Sequence, residues 1–176
     1  MQHHHKRVSL QLNHAACLDI LTKNIGWDTT LHLVAVTQKK SYLCKETSDH
    51  IQQLTKCFLD TTDEEILYAT LHMISGLCQQ PELVPYITQL TPYFEGKATL
   101  LLCVNQPLHA KSKVLEKLKS LQADPYLHLK DHTDIHLIVA EILVKLHKIP
   151  GYTRLICDPE RAVRIMDSYM LPKLGL

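Results

Sequence analysis

The sequence predicts an all-α chain folded as a short α-solenoid, and three observations carry that expectation. Apolar residues recur at helical spacing along most of the 176 residues. Strict alternation of apolar and polar residues, the mark of a half-buried strand, is scarce. A long amphipathic pattern ending at Pro81 returns ahead of Pro150, 69 residues later. The composition suits a globular core, at 45% hydrophobic and 21% charged, and five glycines exclude collagen-like and glycine-rich disordered classes.

From the amino end, residues 1–7 read as a disordered segment and 8–176 as one helical repeat domain of two to three degenerate units. Leu10, Ala15, Cys17, Leu18 and Leu21 open the domain as a faint helical copy that ends near Asn24. Trp27 follows at a turn, where packing against the core is expected. Residues 31–36, LHLVAV, suit a helix or a strand equally. Over 51–59, Ile51, Leu54, Phe58 and Leu59 share one helix face. Thr62 and Glu65 form a capping box, with Asp63, Glu64 and Glu65 on the positive end of the next helix dipole. That helix carries Ile66, Leu67, Thr70, Leu71, Ile74 and Leu77, and Pro81 ends it.

Residues 98–104, ATLLLCV, read as buried helix because a lone strand would lack a ladder partner. Ser112 to Leu121 forms a short helix, and Asp124-Pro125 a turn. Thr133 or Asp134 caps a long helix bearing Ile135, Ile138, Val139, Ile142, Leu143 and Leu146. Pro159 to Leu171 is a further short helix.

Placing Pro81 over Pro150 aligns Ile66 with Ile135, Ala69 with Ile138 and Leu71 with Ala140. Ile74 then falls on Leu143, Leu77 on Leu146 and Ile87 on Ile156. A helix pair that buries one face needs a neighbour stacked on it, so such copies form a continuous core. The spacing exceeds the roughly 40 to 47 residues of common helical repeats, so inserts at 93–110 and 123–132 must be accommodated.

The stretch from His50 to Leu77, with its Glu64-Glu65-Ile66 start, Leu71, Ile74, Leu77 and the following Pro81, resembles the second and third helices of an armadillo repeat. Asp134 to Pro150 resembles it more loosely. The resemblance implies a right-handed superhelix and a groove formed by the long helices. In armadillo proteins that bind extended peptides, the groove carries a tryptophan and an asparagine four residues on. Here those places hold His72 and Gly76 in one copy, and Glu141 and Lys145 in the other. The asparagine ladder is absent, so importin-like reading of nuclear-localisation peptides is not expected. His72, Met73, Gly76, Glu141 and Lys145 are the candidate partner-binding residues. The chain also looks uncapped at its ends, as though it associates end to end or belongs to a longer solenoid.

Other chemistry is sparsely represented. The 19 basic and 18 acidic residues leave a net charge of +1, which argues against a strong nucleic-acid field. Lys113 and Lys117 share a helix face that suits solvent. No apolar run reaches the roughly 20 residues of a membrane span, and no secretory leader is visible at the start. The six cysteines form no CxxC pair, and Cys17, Cys57, Cys78 and Cys103 sit in apolar stretches as reduced, buried thiols. An intracellular setting, cytoplasmic or nuclear, follows from that usage. No GxSxG elbow or phosphate-binding glycine loop occurs, and acidic pairs are explained by helix starts, so no catalytic residue is assigned.

Among twelve histidines, His128, His132 and His136 with Asp131 and Asp134 are the nearest to a metal set. With the helix starting at Thr133, His128 and His132 fall outside it as solvated loop residues, so no metal and no cofactor is expected. The expected function is a non-enzymatic protein-binding scaffold or regulatory subunit that engages a partner peptide or helix. The alternatives are a nucleic-acid-associated repeat subunit of a chromosomal complex, or a metal-binding helical protein using His132 and His136.

Overall fold

A computed structural model describes residues 10, 12–38, 44–89, 112–123 and 133–149. Among them are seven α-helices, one 3₁₀ turn and no strand: α1 (His14–Ile25), α2 (Trp27–Thr37), α3 (Lys45–Asp60), α4 (Glu64–Leu77), the 3₁₀ turn Pro81–Leu83, α5 (Val84–Thr88), α6 (Lys113–Ala123) and α7 (Thr133–His147). The stretch at 31–36 is therefore helical. Residues 1–7, 98–104 and 150–176, including the expected helix from Pro159, lie outside the described residues.

Several helix starts have a local cause. The Asn13 carboxamide oxygen accepts the Ala16 N–H at 2.8 Å and caps α1. Gly26, at φ 92°, is the single residue joining α1 to α2, a backbone geometry that disfavours any side chain. For α4 the cap is Asp63 rather than Thr62. Its Oδ1 accepts the N–H groups of Glu65 and Ile66 at 2.9 and 3.0 Å, while Thr61 Oγ1 accepts the Asp63 N–H. An ionised cap also complements the positive end of the helix. The helix ends at Leu77, and Pro81 opens the following 3₁₀ turn, where its missing N–H has no partner to lose. Ser112 precedes α6 and accepts the Leu115 N–H at 3.2 Å, while its hydroxyl donates to the Thr88 carbonyl at 2.6 Å.

The core is organised around α4. Leu67, Ala69, Thr70, Leu71, Met73, Ile74, Ser75 and Leu77 are all buried, so this helix is covered on most of its circumference. It packs against α1 on one side and α7 on the other, with α2 and α3 also against it. The helix α4 thus lies between α1 and α7, giving a row α1–α4–α7. The aligned pairs Ala69/Ile138, Leu71/Ala140, Ile74/Leu143 and Leu77/Leu146 are all buried, as is Ile135, whereas its mate Ile66 is half-buried and Ile156 lies outside the described residues. Alongside the row, α3 packs against α2, α5 and α6 and buries Ile51, Leu54 and Phe58 completely. A buried side chain of this size contributes roughly 1.5–3 kcal/mol, so α3 anchors the second layer.

Two lysines join the C-terminal helices to the N-terminal ones. Lys117 of α6 donates from Nζ to the carbonyls of Phe58, Leu59 and Thr61, at the end of α3, and lies 4.8 Å from the Phe58 ring centroid. The expected solvated lysine is a helix cap. Lys145 of α7 donates to the Ser75 carbonyl at 2.9 Å and the Ser75 hydroxyl at 2.8 Å. The other carbonyls in the last turn of α4 are also used: Ile74 by Cys78, Gly76 by Gln79 and Leu77 by Gln80. Lys145 therefore completes the carbonyl end of α4 and supplies the cation its dipole favours.

Trp27 departs from its expected core position. It is 63% exposed, because the one-residue Gly26 joint puts it on the first turn of α2, ahead of the buried Thr29, Thr30 and Leu33. His136 lies within α7, as a helix starting at Thr133 implies, and is buried. His128 and His132 are outside the described residues.

Candidate functional site

The five residues singled out from the sequence come together on one cavity of about 230 Å³. From α4 it takes His72, Met73, Ser75 and Gly76, and from α7 it takes Ile138, Glu141 and Lys145. Helical geometry explains the set: 72/76 and 141/145 are i, i+4 pairs on facing sides of two adjacent helices. His14 of α1, Val34 and Thr37 of α2, and Gln79 complete the lining. Those four have no sequence signal, because nothing short-range shows which side of α4 receives α1 and α2.

The polar groups are arranged in two sets. His14 Nδ1 and His72 Nε2 share a hydrogen bond at 3.0 Å, and the Tyr68 ring stacks near His72 with centroids 6.4 Å apart. Burial, with His14 and Lys145 nearby, holds the His72 pKa below the ordinary histidine value despite the opposing pull of Glu141. On the facing helix, Glu141 and Lys145 pair at 3.5 Å while Lys145 also holds Ser75. The Lys145 charge is thus committed to the α4 end, leaving Glu141 as the more exposed of the pair. Between the two sets lie the apolar Val34, Met73 and Ile138.

Gly76 has a packing role as well as a lining one. A Cβ placed there would meet Thr37 Cγ2 at 3.3 Å, so the missing side chain lets α2 approach α4 closely.

Of the thiols, Cys17 and Cys78 are buried and free, and burial pushes their pKa values up to about 11 and about 12. Neither is a poised nucleophile. Cys57 is only half-buried, and Cys44 is exposed at the start of α3. Cys103 lies outside the described residues.

A second cluster, not anticipated from the sequence, joins α2 to α3. His32, Glu46 and His50 place ligand-type atoms within 4.8 Å of one another. The only sequence signal for it is the i, i+4 spacing of Glu46 and His50; His32 joins them solely because α2 docks on α3.

No helix among the described residues is long and apolar enough to cross a membrane. Comparison with protein-family models, with curated proteins and with solved structures finds no match.

Proposed function

We propose that the chain is a non-enzymatic protein-binding module, an armadillo-like stack of two to three helical units that presents the α1–α4–α7 row to a partner segment. The observation that supports this most is the convergence of His72, Met73, Gly76, Glu141 and Lys145 on one cavity between neighbouring copies. At about 230 Å³ it falls below the roughly 300–1,000 Å³ of typical small-molecule sites. It suits one anchoring side chain of a partner peptide or helix, with apolar contact to Val34, Met73 and Ile138. The His14–His72 pair and the Glu141 carboxylate then supply polar contacts at the rim. In this reading recognition is by surface complementarity with a few buried anchors. The nucleic-acid alternative loses one of its lysines, since Lys117 faces the end of α3 rather than solvent.

Selection of peptides from a random display library against the immobilised chain tests the proposal. Enrichment of a peptide family whose binding is lost in Glu141→Arg and in the His14→Ala/His72→Ala double variant supports it. No enrichment, or peptides that bind both folded variants as well as the parent, overturns it. Lys145 is a poor probe by itself, because removing it also opens the end of α4.

A further inference from the structure

We infer that His32, Glu46 and His50 form a mononuclear binding site for a divalent transition metal of the zinc class, joining α2 to α3. The ligand-type atoms of the three residues lie close together. His32 Nδ1 lies 3.9 Å and His50 Nε2 3.6 Å from the same carboxylate oxygen, Glu46 Oε1. Both separations exceed an ordinary hydrogen bond, which ends near 3.2 Å. Metal–ligand bonds of about 2.0–2.2 Å in a tetrahedron place neighbouring ligand atoms roughly 3.3–3.6 Å apart. Small side-chain movements close that difference.

The hydrogen bonds behind the rings fix which nitrogens face the centre. Thr29 Oγ1 donates its one hydrogen to Gln53 Oε1 at 3.1 Å, so its 2.8 Å contact with His50 Nδ1 has the imidazole as donor. Nδ1 then carries a hydrogen toward Thr29, and Nε2 is the nitrogen that faces Glu46. On the other ring, His32 Nε2 meets Thr47 Oγ1 at 2.8 Å, which leaves Nδ1 toward the centre. Metal-binding histidines characteristically have the outer nitrogen held in this way, which sets tautomer and ring orientation. Two imidazoles and one carboxylate suit zinc by ligand type, and leave a fourth position for water or an exogenous donor. The rings are mostly shielded, with side-chain exposures of 18% and 14%, while Glu46 at 70% leaves the centre reachable from solvent.

The site is separate from the cavity on α4 and α7, so the two readings stand or fall independently. The test uses the full chain, stripped with a chelator and titrated with zinc chloride against a chromophoric competitor. One zinc per chain is expected, with affinity reduced at least tenfold in Glu46→Gln, whose exposed position spares the fold. His50→Ala should abolish binding, and Thr29→Val should weaken it about tenfold while leaving all three ligands in place. Variants with His3, His4 and His5, or His132 and His136, changed to alanine should bind as the parent does. Parental zinc affinity in folded Glu46→Gln and His50→Ala, or loss of the zinc in the His3/His4/His5 variant or in a His132/His136 variant shown to be folded, overturns the assignment.

Discussion

Lys117→Met separates a lysine that caps a helix from one that merely decorates a surface. Methionine keeps the aliphatic stem but removes the ammonium that reaches Phe58, Leu59 and Thr61. The bond to the Phe58 carbonyl is the close one, and a hydrogen bond from a charged donor contributes about 1.5–3 kcal/mol. The contacts to Leu59 and Thr61, at 3.5 and 3.3 Å, are long and add little. A cation at a helix C-terminus contributes about 0.3–1 kcal/mol, and the ring contact about 0.5–1 kcal/mol. One charge supplies all three effects, and burial of the amine, which lowers its pKa, opposes them. The net expected loss is therefore about 2 kcal/mol, or roughly 4–8 °C in Tm for a chain of this length. Lys113, exposed one turn earlier, is the control, and Lys113→Met should fall within about 0.5 kcal/mol of the parent. Urea unfolding followed by far-ultraviolet circular dichroism measures both. Equal, negligible effects would refute the capping role and return α6 to a solvated outer helix.

Because the His72 pKa in the folded chain lies below its ordinary 6.5, the unfolded chain binds more protons between the two values. Stability should fall as pH drops through that window and level off below the folded pKa; His72→Gln should flatten this part of the curve in pH-dependent urea unfolding. Timed alkylation read by peptide mass spectrometry should label exposed Cys44 in the native chain and spare Cys17 and Cys78 until unfolding. Comparable labelling of Cys78 would show that α4 is not packed as described. Trp27, the sole tryptophan, should emit as a water-exposed indole and be readily quenched by acrylamide, and Trp27→Ala should change stability by no more than about 0.5 kcal/mol.

Local pattern carried the helices whose signals are short-range. The Glu64-Glu65 start and the spacing of Leu67, Leu71, Ile74 and Leu77 identify α4 without any tertiary knowledge. The first turns of α3 carry no sequence signal, because Lys45 to His50 is polar and presents no apolar stripe. For α2 the run from Leu31 to Val36 has apolar residues at nearly every position, so its period is ambiguous until neighbours cover it. Thr61, Thr62 and Asp63 are all good caps, and which one serves depends on a one-residue shift that sequence does not resolve.

Long-range partners were the least legible. Lys117 and Lys145 look like surface cations because their acceptors lie 56 or more residues away in the chain. The candidate cavity was half legible. The α4 and α7 positions followed from the armadillo resemblance, but His14, Val34 and Thr37 enter only through the docking of α1 and α2.

Amide chemical-shift mapping of the isotope-labelled chain, with a display-selected peptide added, gives the most direct test of the α1–α4–α7 row as a recognition surface. Shifts concentrated at His14, Thr37, His72, Met73, Gly76 and Glu141 are the expected result. Saturable binding whose shifts fall on the opposite layer, around α3 and α6, with these residues unmoved, would contradict it.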